Sequence, residues 1–200
     1  MGLKKILIHS FFVVFFFLCY MLWLQRPVWH GAGVQADGGL TFTTIGRIDP
    51  LQTDNFRLYP KIEISGTARV VSKVRYWVDE HAGLAPFSMV LGWDEMSDEQ
   101  TLRIVRISQA NRSYDIRAAN PPLSMREIRE RLLHVHAVPA NEEIREQLVN
   151  IRRGNIVTIG GYLVDAESEL LPTLRSDIRE DTPNPLSSHV FWIDNLSIMR

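Results

Sequence analysis

Cysteine is nearly missing from this sequence: the 200-residue chain holds one, Cys19. A single thiol excludes an intramolecular disulfide framework, a CxxC zinc site and a cysteine nucleophile anywhere beyond residue 19. A surplus of one charge sign is missing as well. There are 22 Lys+Arg and 23 Asp+Glu, and every acidic residue follows Arg26. With Lys4, Lys5 and Arg26 set aside, residues 27–200 carry 19 basic against 23 acidic residues, net −4. That balance argues against nucleic acid as a partner. The motifs GxSxG, GxxxxGK[ST], GxGxxG and HExxH do not occur, so no complete nucleophile-elbow, phosphate-loop, dinucleotide or zincin signature is present and no cofactor is implied. Internal repeats and low-complexity tracts are absent too.

What is present is enough to build a core. Hydrophobic residues make up 46% and aromatics 10% of the chain, a composition that folds rather than stays disordered. The length suits one domain plus a short appendage. The run 6–24, ILIHSFFVVFFFLCYMLWL, carries no formal charge. As a helix it would be about 28 Å long, close to the thickness of a bilayer's hydrocarbon core. Lys4 and Lys5 before it favour a cytoplasmic N-terminus, Tyr20 and Trp23 suit the far interface, and Pro27 stops the helix. A cleaved signal peptide fits less well, because the run is long and bulky and no small-residue cleavage site follows closely. Phe16, Phe17 and Leu18 before Cys19 do not form a lipobox. The expected organisation is therefore a cytoplasmic N-terminus (1–5), a transmembrane helix touching the lipid bilayer (6–24), a linker (25–40) and an exported β-rich α+β domain (41–200). Residues 30–200 are then expected in the periplasm of a bacterial inner-membrane protein.

The linker reading rests on Gly31, Gly33, Gly38 and Gly39 in a stretch without apolar periodicity. Beyond it come short β-branched or aromatic runs separated by Pro, Gly, Asn and Asp. The period of two in 61–78 predicts a strand, with further strands in 86–93, 102–108, 113–117, 133–138, 155–164 and 189–193. Gly160 and Gly161 predict a bulge or a close backbone approach. Two helices interrupt the pattern. Ser124 and Glu127 form a capping box, and Asn141 caps a helix with Ile144, Leu148 and Ile151 on one face, which Gly154 terminates. The fold class expected is an N-terminal transmembrane helix plus an α+β domain: a mostly antiparallel sheet, curled into an OB-like partial barrel by analogy of architecture, with two helices packed on it.

Six residues stand out as ligand or partner contacts. His134 and His136 project from one strand face and could begin a metal site, although a zinc centre needs at least a third ligand; the bland reading is a pair of hydrogen-bonded histidines. Trp93, Asp94 and Asp98 place an aromatic ring beside carboxylates, with Glu95 between, in a loop at a strand end. Paired carboxylates can divide acid and base work, yet Ser97 followed by two acids also reads as a helix start. Tyr114 sits among Arg103, Arg106, Arg112 and Arg117, a locally basic strand pair that could meet an anion or nucleic acid on an OB-like face, or simply be solvated.

Several segments resemble a group of uncharacterised bacterial membrane-anchored proteins of about this size: Arg26-Pro27-Val28, Gly92-Trp93 with Met96-Ser97-Asp98, Ile107-Ser108-Gln109, His136 with Pro139-Ala140, and Gly161-Tyr162-Leu163-Val164. The resemblance implies a bacterial envelope location and no activity, cofactor or catalytic residue. It departs from the group at Ser187-Ser188-His189, where no cysteine stands. The leading functional expectation is a non-enzymatic, membrane-anchored periplasmic module that binds an envelope protein or glycan. The alternatives are a tethered hydrolase using a His134/His136 metal or the carboxylates Asp94, Glu95 and Asp98, and anion or nucleic-acid binding by the arginine face. Oligomeric state is not readable from the sequence.

Overall fold

The computed structural model describes the chain except residues 1, 25, 54 and 200, and within the first helix it omits the side chains of 2–7, 21, 22 and 24. Helix α1 runs Gly2–Leu24. Its side chains are described without a break only over 8–20, where they are exposed. Among the described residues no helix is long and apolar enough to cross a membrane. The transmembrane assignment of 6–24 is corrected accordingly. The placement of the N-terminus in the cytoplasm and of 30–200 in the periplasm depended on that span and falls with it. Lys4 and Lys5, which carried the orientation argument, lie outside the described side chains.

The body is a mixed sheet with helices at its margins. In chain order come β1 (Leu40–Thr44), β2 (Leu51–Thr53), β3 (Phe56–Arg75), β4 (Phe87–Gly92), a 3-10 turn (Asp94–Ser97), α2 (Glu99–Ile104), β5 (Val105–Ala110), β6 (Ser113–Ala118), α3 (Met125–Glu130), β7 (Leu132–Pro139), α4 (Glu142–Asn150), β8 (Ile156–Glu167), the two-residue strands β9 (Ile178–Arg179) and β10 (Thr182–Pro183), and β11 (Ser188–Ile198). Strand β3 is long enough to pair with β8 over 57–69 and then with β4 over 69–75. Five strands therefore close on themselves in the order β3–β4–β7–β11–β8 and back to β3. Numbered among themselves this is 1-2-3-5-4-1, the connectivity of an OB-type Greek-key barrel. Six of the seven pairings in this sheet are antiparallel and one, β7–β11, is parallel, so the sheet is mixed; beside α1 three helices, α2, α3 and α4, are described, which corrects the expected two.

Alternation along the strands divides the side chains. Ile62, Ile64, Val70, Met89, Leu91, Val135, Val157, Ile159, Phe191 and Ile193 fill the barrel, where Ile144, Leu148 and Ile151 of α4 join them. Two smaller apolar clusters lie on the outside of the wall, one around Leu58, Leu84, Val138 and Val190, the other around Val90, Met96, Ile107 and Leu132. Asn141 caps α4 by accepting from Ile144 N at 2.9 Å, and Ser124 with Glu127 forms the reciprocal box at α3. Gly161 (φ 145°) lets the β11 backbone at Trp192 come in where a Cβ would collide, and the β8–β11 register shifts next to it, between Ile193 and Asn195.

Residues 28–39 do not hang free, as a linker would. Val28 N donates to Arg153 O at 2.8 Å, Ala36 N to Ser97 Oγ at 2.7 Å, and Thr67 N to Gly39 O at 3.1 Å. Gly154 (φ 94°) ends no helix, because α4 stops at Asn150 with Ile151 as its cap. Its missing Cβ instead makes room for the Val28 carbonyl.

Candidate functional site

Strand β7 lies between β4 and β11, and its period of two sends Leu133, Val135 and Ala137 into the barrel and His134 and His136 outward. Register does the rest. Ser88 on β4 faces His136, and Ser188 on β11 faces His134. Each serine hydroxyl meets an imidazole Nδ1, Ser88 with His136 at 2.6 Å and Ser188 with His134 at 2.7 Å. The β5–β6 hairpin covers this face. From it Gln109 Nε2 donates to Ser72 Oγ at 2.8 Å, which leaves its Oε1 to accept from His134 Nε2 at 3.1 Å. His134 is thereby the Nε2-protonated tautomer, and the one Ser188 hydroxyl proton goes to its Nδ1 at 2.7 Å rather than to Arg112 O at 3.3 Å.

The two imidazole rings are 5.2 Å apart, edge to face, and the Tyr114 ring lies 5.0 Å from His134. Both histidines are buried. Burial, with His189 nearby, pushes His134 down to about 4. Burial, then His134, Arg112, His189 and His81, pushes His136 down to about 3. Two neutral imidazoles, with both His134 nitrogens and His136 Nδ1 bonded to Ser or Gln, suit a structural polar cluster. No group of three or more His, Cys, Asp or Glu residues is placed to hold a metal ion among the described residues.

The second candidate group lies elsewhere. Trp93 is buried at the edge of the barrel core, 6.4 Å from Phe42 between ring centroids. Asp94 opens the 3-10 turn at φ 47°. Asp98, not Ser97, caps α2 by accepting from Gln100 N at 2.8 Å, and its other oxygen accepts from Gly33 N at 3.2 Å. Glu95 pairs with Arg131 at 2.7 Å. Glu99, absent from the sequence candidates, is the most committed of all. It accepts from Arg69 Nη2 at 2.7 Å, with the two side chains only 2% and 4% exposed, and from His30 N at 2.5 Å. Burial raises the Glu99 carboxyl, and the Arg69 and His30 hydrogen bonds outweigh it, so the group stays below its ordinary value. Asp98 and Glu99, with the Ser97 hydroxyl, thus fasten residues 30–36 to the barrel.

The remaining group was not legible as a site. The β3–β4 connection (76–86) and the β8–β11 connection (168–187) meet at one end of the barrel, and the tip of the β5–β6 hairpin joins them. Asn111 and Arg112, both at positive φ, make the two-residue hairpin turn. Arg112 then reaches across: Nη2 donates to Asp79 Oδ1 at 2.7 Å and to Ala85 O at 3.1 Å, Nε donates to Asp79 Oδ2 at 3.0 Å, and the guanidinium lies 4.4 Å over the Tyr76 ring. His81 Nε2 meets Pro172 O at 3.1 Å, and the Tyr114 hydroxyl donates to Pro185 O at 2.5 Å. On this pinned loop Trp77 is 71% and Val78 97% exposed, and the Arg75 guanidinium stacks 3.5 Å from the Trp77 centroid. Arg106 and Arg117 are paired across the hairpin and exposed. Tyr114 holds the hairpin down rather than standing among them.

No family model, curated protein or solved structure matches the chain.

Proposed function

We propose that this chain is a non-enzymatic interaction module that engages a protein partner through the loop end of its barrel, with Trp77 and Val78 as the anchor. The observation that carries the reading is an adjacent aromatic and aliphatic side chain, both outside the core, on a loop fixed by Arg75, Arg112 and His81. Monomeric surfaces scatter single apolar residues. A rigid exposed pair next to a cation–π stack has the character of a hot spot, because its rotamer entropy is already restricted before the partner arrives. The surrounding polar groups favour a protein over a glycan. Asp79 is taken by Arg112, and His81 by Pro172 and Glu80, so these polar side chains beside the pair are engaged within the chain. Val78 adds apolar area that a protein pocket would bury.

The hydrolase and arginine-face alternatives draw no comparable support. His134 and His136 are closed in beneath the hairpin, Asp94 opens a 3-10 turn, and the Glu95 and Asp98 carboxylates serve an ion pair and a helix cap. The test is quantitative co-purification from the source cells with the full chain. A defined partner is expected with wild type and with Arg106→Ala, and it is reduced at least about 30-fold by Trp77→Ala with Val78→Ser, since truncating an anchoring Trp costs about 2 kcal/mol or more. Equal recovery by the double variant refutes the reading.

A further inference from the structure

We infer that the groove between the β2–β3 turn and the end of β8 is a binding site for a neutral oligosaccharide, separate from the Trp77 surface. The groove has a volume of about 590 Å³, and Gln52, Asn55, Arg57, Tyr59, Glu167 and Glu169 line it. That is within the usual range of ligand pockets, about 300–1,000 Å³. Its walls follow from the strand pattern. Phe56 and Leu58 are buried on one face of β3, so Arg57 and Tyr59 share the opposite face. The antiparallel β3–β8 register sets Glu167 opposite Arg57 and Asp165 opposite Tyr59. Glu169 follows where the β8–β11 connection begins, one of the two loops by which barrels of this connectivity hold oligosaccharides.

The polar side chains of this groove have unspent hydrogen-bonding capacity. Arg69, Arg112, Arg131 and Arg145 each hold a carboxylate. By contrast, Gln52, Asn55, Arg57, Tyr59, Glu167 and Glu169 make no side-chain hydrogen bond or ion pair among the described residues. Arg57 and Glu167 face each other across the ladder without closing an ion pair. Two amides, a guanidinium fork and two carboxylates around one concavity offer paired donors and acceptors, the complement of vicinal hydroxyls. The half-buried Tyr59 ring supplies a flat apolar surface for the C–H face of a pyranose. Charge narrows the ligand further. Among the described lining residues two carboxylates stand against one guanidinium, which disfavours a phosphate, sulfate or nucleic acid, and a neutral sugar needs no compensating charge.

The experiment is a ¹H–¹⁵N titration of the full chain with cellotetraose, chitotetraose and maltotetraose, each to about 10 mM. At least one is expected to saturate with Kd below about 1 mM, with shifts concentrated in 52–59 and 167–170. Tyr59→Ala and Glu167→Gln should each weaken that Kd about tenfold or more, and Glu167→Gln should do so with an unchanged melting temperature, because Glu167 is exposed. Trp77→Ala should leave it unchanged, so failure of this site and failure of the protein-partner reading are told apart. The inference is overturned if none of the three sugars shifts the groove resonances, or if binding survives both groove variants unaltered.

Discussion

Acid should weaken this fold in a pH range set by two side chains. His134 and His136 are neutral in the fold and titrate near about 4 and about 3, against 6.5 for an ordinary histidine. The unfolded chain therefore takes up protons first as the pH falls, and stability present above about pH 6.5 drains away until the folded-state values are reached. At about pH 5 each group costs about 2 kcal/mol. The pair together removes about 4 kcal/mol, a large share of the roughly 5–15 kcal/mol a domain possesses. Carboxylates contribute little in this interval, because unfolded Asp and Glu remain mostly ionised at about pH 5. The assay is urea denaturation followed by tryptophan fluorescence at about pH 7 and pH 5, for wild type and for His134→Gln with His136→Gln. The wild type should lose about 4 kcal/mol more than the double variant, which keeps only the loss due to His189, whose value burial also lowers. An identical loss in both proteins would refute the argument that these imidazoles are buried and neutral.

Three further outcomes follow from the geometry. Glu99→Gln strands the Arg69 guanidinium in a site where both side chains are almost fully covered; it should cost about 3 kcal/mol or more by denaturant melts and open residues 28–36 to limited proteolysis. Gly154→Ala forces a Cβ into a left-handed backbone against the Val28 carbonyl, so a loss of about 1–3 kcal/mol is expected by the same measurement. Arg112→Ala removes the contacts to Asp79 and Ala85; amide exchange should accelerate in 77–85 while β7 and β8 keep their protection, as seen by mass spectrometry.

Local features of this fold were readable in the chain because local chemistry determines them. The alternation in 61–78 reports a strand with one face in the core, the capping box at Ser124 marks a helix start, and Asn141 with Ile144 and Leu148 marks α4. Long-range placement was not readable. Nothing in β3 announces that its first half pairs with β8 and its second half with β4, and no spacing ties Arg69 to Glu99 thirty residues on. Glycines 31–39 read as permissive backbone, yet carboxylates and a serine of 97–99 hold that segment in place. The apolar composition of 6–24 was legible as a helix, and its assignment as a span was not sustained. Of the six candidate residues, Tyr114, His134 and His136 do converge, while Trp93, Asp94 and Asp98 form a separate structural group. Trp77 and Val78 carried no motif, and only their exposure on a fixed loop singles them out.

The central claim, partner recognition through the loop end, is most directly tested by photo-crosslinking from a benzophenone amino acid placed at position 78 in cells expressing the full chain. The account predicts one discrete adduct from position 78 that disappears with Trp77→Ala and does not form from position 106 on the solvated hairpin face. Equal adducts from both positions, or none from position 78, would contradict it.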